Sequence, residues 1–211
     1  MTPPRTIPGS AAYHPVVVFP RGARVEVADL ATAEGAARAA PTWGVGKYDE
    51  RRVGVYVHEL FSGDAGERRD VHVGVDLYAP AGVAVHAFAD GEVVRAGMNG
   101  QPGDYGPVLV VRHGLPGGTG VYALYGHLSV ETLLHSRVGR AVRAGDVLGW
   151  VGDASVNGGW PPHVHFQLAW DAPRTHDMPG VVRARDRAAA LRQYPDPRPA
   201  LGLGEDFRPR L

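Results

Sequence analysis

Between Val53 and Trp170 the chain is written in short runs of alternating apolar residues, each ended within a few positions by glycine, proline or an Asp/Asn turn. Runs this short suit β-strands, because a helix needs roughly 10–12 residues of 3.6-residue periodicity. Strands are expected over 53–56, 71–77, 84–89, 92–96, 108–112, 121–125, 147–151 and 164–169. Ala89-Asp90-Gly91 is expected to close a tight hairpin, and Gly117 to Gly120 another, since such steps reach positive φ at little cost. Many short strands at close spacing make an all-β, antiparallel sandwich or barrel, not a parallel α/β sheet. Glycine (29) and proline (18) together make up 47 of 211 residues, well above the roughly 12% of average usage, and that excess disfavours long helices. Short helices are expected over 29–40 and 182–193, the second stopped by Pro195-Asp196-Pro197. The organisation expected is an N-terminal extension (1–52), a β domain (53–170) and a C-terminal extension with a short helix (171–211).

Lys plus Arg number 22 and Asp plus Glu number 22, so the formal net charge is zero. A nucleic-acid partner or a membrane surface, both of which select a basic excess, is therefore not expected. No run approaches the roughly 18 apolar residues of a membrane span. The longest apolar run near the N-terminus is Val16 to Phe19, too short for the apolar core of a secretion signal. A cytoplasmic location is the expectation, with the cell envelope as the alternative if a leader has been removed or export is unconventional. There is no cysteine, which excludes disulfides, thiol nucleophiles and zinc–thiolate sites.

Chemistry is then left to ten histidines. In Val71-His72-Val73-Gly74-Val75-Asp76 the alternation puts His72, Gly74 and Asp76 on one face and the valines on the other. A straight strand would separate His72 from Asp76 by about 13 Å; a bend or bulge at Gly74 would bring both to one ion. His127 follows a strand in Tyr125-Gly126-His127-Leu128-Ser129. His163 and His165 share one strand face in Pro162-His163-Val164-His165-Phe166, where two imidazoles about 7 Å apart need partners. Zinc hydrolases use three His or carboxylate ligands and leave a fourth position for water. His72, Asp76 and one of His163 or His165 supply such a set, with the remaining histidines placed for acid–base work. No His-Glu-x-x-His helix is present, so the base is not the glutamate of that peptidase class.

The ordered motifs resemble the M23 metallopeptidases, the lysostaphin-type zinc endopeptidases. They are His72 to Asp76, Ala79 to Gly82, Ala89 to Val94, Asp104-Tyr105-Gly106, Tyr125 to Ser129, Val142 to Gly149 and His163 to Phe166. The resemblance implies a β-sandwich or barrel-sandwich hybrid with an open groove and one zinc ion per chain at its floor. By motif position it makes His72, Asp76 and His165 the metal ligands and His127 and His163 the catalytic pair. It puts Tyr105 on the groove wall and implies a peptide substrate such as a peptidoglycan cross-link. The chain departs from the family pattern at Asp153 to Pro162, where Trp160 and two prolines narrow the groove and make Trp160 a candidate substrate contact. That loop, Tyr48 to Arg52 and Tyr194 to Pro197 are similar to an M23 module carried by larger bacterial proteins beside kinase-like and aminotransferase-like domains, which favours a non-wall substrate.

The competing reading is a cytoplasmic M23-like module that binds metal or peptide without turnover. A biotinyl or lipoyl carrier, suggested by Val142 to Gly149, fails because the only lysine is Lys47. His14, His58, His86, His113, His135 and His176 are expected to be ordinary surface or packing residues.

Overall fold

The computed structural model describes residues 5–9, 13–62, 67–204 and 207; the ends of both expected extensions lie partly outside the described residues. Its centre is an eight-stranded sheet. From edge to edge the strands are β1 (Glu26–Ala28), β2 (Gly44–Gly46), β5 (Val75–Tyr78), β12 (His163–Ala169), β9 (Gly120–Gly126), β8 (Gly106–Gly114), β7 (Gly91–Asn99) and β10 (Ala141–Val142). A three-stranded sheet is made of β13 (Val181–Val182), β4 (Val71–His72) and β3 (Glu50–Arg51), and a two-stranded one of β11 (Val147–Trp150) and β6 (Ala84–His86). Only β1 and β2 run parallel among these pairings. No sheet among the described residues closes into a barrel, and the fold is all-β, as expected.

Period-2 alternation decides which face is which. One row across the large sheet is Val75–Phe166–Tyr125–Leu109, each residue directly opposite the next. All four are buried in the main core, with Phe88, Leu128, Leu148 and Val85 covering them from the other layer. Each fully buried side chain of this kind contributes about 1.5–3 kcal/mol. One residue along, the row is Gly46–Asp76–His165–Gly126, so the polar residues face away from that core. Valine and phenylalanine on β12 fix its orientation, and His163, His165 and Gln167 are aimed at the opposite side as a result.

Several elements differ from expectation. The expected strand 71–77 breaks into β4 and β5 at Val73-Gly74. Residues 53–56 form no strand; they open a strap that ends in a 3₁₀ turn, Glu59–Phe61. The strap carbonyls of Tyr56 and Val57 accept hydrogen bonds from Arg68 rather than from a neighbouring strand. Ala89-Asp90-Gly91 is not a hairpin: β6 pairs with β11 and β7 with β8 and β10, so this corner carries the chain from one sheet to another. Gly91 is needed for close approach, since a Cβ there would lie 2.4 Å from Arg112 O. The Gly117–Gly120 hairpin joins β8 to β9 as expected, closed by Leu115 N–H to Thr119 O (2.8 Å).

The helix expected over 29–40 shrinks to α1 (Ala33–Ala36), which starts where the Thr32 hydroxyl caps Gly35 N. It buries no residue, so nothing propagates it. The helix expected over 182–193 gives up its start to β13, passes a 3₁₀ turn, and becomes α3 (Arg187–Gln193). The remaining helical turns are α2 (Thr132–His135) and α4 (Arg198–Leu201). No helix among the described residues is long and apolar enough to cross a membrane.

Candidate metal centre

The bend at Gly74 brings His72 on β4 back beside Asp76 on β5, with His72 Nε2 3.2 Å from Asp76 Oδ1. A Cβ at Gly74 would sit 2.5 Å from His165 Cε1, so glycine also makes room for the third ring. His165 Nδ1 lies 3.1 Å from the same Asp76 oxygen and 2.9 Å from His72 Nε2. These three are buried, and each offers one ligand atom toward a common point.

Their protonation is set by their other contacts. His72 Nδ1 faces both Lys47 O at 2.8 Å and Arg52 Nη2 at 3.0 Å. The carbonyl can only accept and is the shorter contact, and Arg52 Nη2 has Asp76 Oδ2 at 2.7 Å as its acceptor, so Nδ1 carries the hydrogen and Nε2 is bare. His165 Nε2 donates to Gln167 Oε1 at 2.9 Å, leaving Nδ1 bare. Three lone-pair atoms with no hydrogen between them therefore converge within 2.9–3.2 Å. A tetrahedral site with bonds of 2.0–2.1 Å spaces its ligand atoms about 3.3 Å apart, so a divalent cation fits this set. Three bare acceptors in such contact otherwise repel. Burial would raise the Asp76 carboxyl, but His72, Arg52 and His163 together hold it well below the usual carboxylate range. Burial, then the Arg52 charge, pushes His72 down to about 4.

His127 and His163 stand beside this cluster with ring centroids 4.3 Å apart. His163 Nδ1 donates to Pro161 O (2.7 Å), and His127 Nδ1 to Asn157 O (2.9 Å). Both Nε2 atoms are thus free of carbonyl partners, and His163 Nε2 lies 3.7 Å from Asp76 Oδ1. Burial lowers both imidazoles below the ordinary histidine value, His127 well below it because His163 and His165 crowd it further. His127 has φ 62, a left-handed conformation uncommon outside glycine, and such strain concentrates where side-chain placement matters. It is held from both sides, by His127 N–H to Tyr105 O and Gly152 N–H to His127 O, each 2.9 Å.

The loop from Asp153 to Pro162 adds a third hold on His127, through Asn157 O. Asn157 is fully buried, and its amide ties Gly152 O and both backbone groups of Trp160 together. Trp160 stands edge-on to His127 and Tyr56, and its ring N–H donates to Gly103 O (3.1 Å). Tyr105 packs its ring against His127 and His165, and its hydroxyl donates to Met178 O (3.1 Å). Gly126 and Gly180 clear the space for that ring. All seven candidate residues thus border one cavity of about 120 Å³, whose other walls include Tyr56 and Phe61 of the strap, Arg69, and Pro179 to Val181.

Arg52, Lys47 and Gln167 were not legible as site residues, because each acts through another group. Of the remaining histidines, His58 joins the cluster through its edge contact with Trp160 (6.2 Å), and His113 is buried in the main core.

A profile of Peptidase family M23 matches residues 70–177, just over half of the 211-residue chain. The chain is 37% identical over 97 residues to the DD-carboxypeptidase/endopeptidase Mpg of Neisseria meningitidis serogroup B, covering 46% of this chain and 20% of that protein. It is 35% identical over 96 residues to the glycyl-glycine endopeptidase ALE-1 of Staphylococcus capitis, covering 46% of this chain and 24% of that protein. The chain therefore spans a quarter or less of the length of these curated relatives. Among solved structures it is similar to the catalytic domain of the antimicrobial peptidase lysostaphin from Staphylococcus simulans, with TM-score 0.49 and 23% identity over 76% of this chain and 92% of that domain.

Proposed function

Because the chain belongs to Peptidase family M23 and is by that membership a metallopeptidase, we propose that it is a zinc endopeptidase in which His72, Asp76 and His165 hold one ion. The observation that carries this reading is the convergence of three hydrogen-free ligand atoms within 2.9–3.2 Å. A zinc ion held there supplies Lewis acidity, acidifying water and polarising a carbonyl oxygen.

The chain's own residues supply the rest. His127 and His163, kept neutral by burial, present bare Nε2 atoms to the cavity. Each can take a proton from water there and pass it to a leaving amine. His163 is the better base, since Asp76 beside it favours the charged ring while His127 has two imidazole neighbours that disfavour it. His127, locked by Asn157 O and its strained backbone, holds its bare Nε2 in place to accept a hydrogen bond from water or from a substrate N–H. Tyr105 and Trp160 wall the site and exclude water.

The substrate proposed is a peptide, and a peptidoglycan cross-link within that class. The printed names of ALE-1, a glycyl-glycine endopeptidase, and Mpg, a DD-carboxypeptidase/endopeptidase, support that choice. The test is metal content by mass spectrometry together with cleavage of glycine-containing cross-link peptides. Wild type is expected to hold about one zinc per chain, His72→Ala none, and His127→Ala the zinc but no cleavage. Absence of metal after zinc reconstitution, or full activity in His127→Ala, would overturn the reading.

A further inference from the structure

Asp76 divides its two oxygens. Oδ1 faces His72 and His165, while Oδ2 turns away and meets Arg52 Nη2 at 2.7 Å. Arg52 is 5% exposed, and the rest of its guanidinium is used as well. Nε donates to Glu50 Oε2 at 3.1 Å and Nη1 to Tyr56 Oη at 2.9 Å. Charges then alternate outward, from Asp76 through Arg52, Glu50 and Lys47 to Asp29, with successive separations of 2.7, 3.1, 3.7 and 3.2 Å.

Burying such a chain costs several kcal/mol per ion unless every member is paired, and an apolar core would serve stability as well or better. Its placement points to another use. The six residues from Lys47 to Arg52 reach two of the three ligands: Lys47 O fixes the ring of His72 and Arg52 grips the carboxylate of Asp76. Gly46, opposite Asp76 on β2, leaves room for the grip, since a Cβ there would lie 3.0 Å from both Arg52 Nη2 and Asp76 Oδ2.

We propose that Arg52 is a positioning residue that makes Asp76 a one-oxygen metal ligand. By occupying Oδ2 it prevents the carboxylate from chelating through both oxygens, and so keeps a coordination position open. Its planar fork is required, because a lysine ammonium is a point charge that cannot serve Asp76, Glu50 and Tyr56 together. This rests on His72, Asp76 and His165 being the metal site.

The full chain is titrated with zinc and, separately, loaded with cobalt(II), whose visible absorption weakens as coordination rises from four to five. Arg52→Lys and Arg52→Met are expected to bind zinc about 10- to 100-fold more weakly, with weaker cobalt bands at equal loading. Arg51→Met, the neighbouring position, which removes an exposed partner of Asp70, is expected to match wild type. If Arg52→Met does not fold, the double variant Glu50→Gln, Arg52→Met, which removes both buried charges, carries the same expectation. Folded Arg52 variants with wild-type zinc affinity and an unchanged cobalt spectrum would overturn the proposal while leaving the metal site standing. A wild-type chain that binds neither metal would overturn both.

Discussion

Each imidazole at the centre commits one nitrogen to an oxygen acceptor, and the choice of acceptor decides what the other nitrogen can do. Lys47 O, Gln167 Oε1, Asn157 O and Pro161 O hold His72, His165, His127 and His163 respectively. The His-x-Gly-x-Asp and His-x-His spacings made His72, Asp76 and one of His163 or His165 legible as a set. The M23 resemblance supplied the choice of His165 and the place of His127, and the bend at Gly74 met the one geometric requirement the spacings posed. The acceptors were not legible, because three are backbone atoms whose side chains carry no signal. Gly74→Ala, whose Cβ would lie 2.5 Å from His165 Cε1, is expected to cost about 1–3 kcal/mol by overpacking and to weaken zinc binding at least about tenfold. Equilibrium unfolding and zinc titration check the two effects. His113 tests the cost of a buried imidazole away from the site. It donates to Ala89 O, faces Tyr125 Oη at 2.9 Å, and is pushed down to about 4 by burial. Its unfolded value is near 6.5, so as pH falls from 6.5 toward 4 the unfolded chain gains a proton the folded one refuses, and stability drops. Between pH 7.5 and 5.0 this amounts to about 2 kcal/mol. Urea unfolding should show that loss reduced by a similar amount in His113→Gln; an equal loss in both proteins would refute the assignment.

At the scale of elements, strands with one apolar face were legible and segments held by side-chain contacts were not. β12 reads directly, since Val164, Phe166 and Leu168 can only face the main core. The start of the strap, residues 53–56, resembles a strand in sequence, yet the strap's rings are claimed by Trp160 and its carbonyls by Arg68, neither of them local. The Asp90-Gly91 corner misleads for a related reason: an Asp-Gly step permits a hairpin, but sheet pairing decides whether one forms. Tyr56 and Phe61 are buried against the half-buried Trp160. Trp160→Ala is expected to loosen the strap by about 2 kcal/mol, hence about 30-fold faster hydrogen exchange at its protected amides. Mass-spectrometric exchange should localise the change to residues 55–61 and leave β12 protected; uniform acceleration would mean that Trp160 stabilises the whole fold instead.

For the whole molecule, the candidate ligands connect two sheets. His72 belongs to the three-stranded sheet, and Asp76 and His165 to the eight-stranded one. An ion bound there stabilises the native state by about 2.7 kcal/mol at a hundredfold excess over Kd. For a chain of this size that raises Tm by about 5–10 °C. Calorimetry with and without chelator checks it, and an unchanged Tm would mean that no ion binds the folded chain in preference to the unfolded one. Deleting residues 1–52 would remove β2 and β3 together with Lys47, Glu50 and Arg52, and is expected to abolish zinc binding.

The long way around the chain between these parts has a consequence in time. His72 pairs across to Glu50 on one side and to Val181 on the other, and the cavity is walled by residues from Leu30 to Val181. On the ribosome, at about 5–20 residues per second, such a site stays in pieces until nearly the last strand has emerged. The cavity is therefore expected to close only after Val181 has emerged, however early the first of its walls is made.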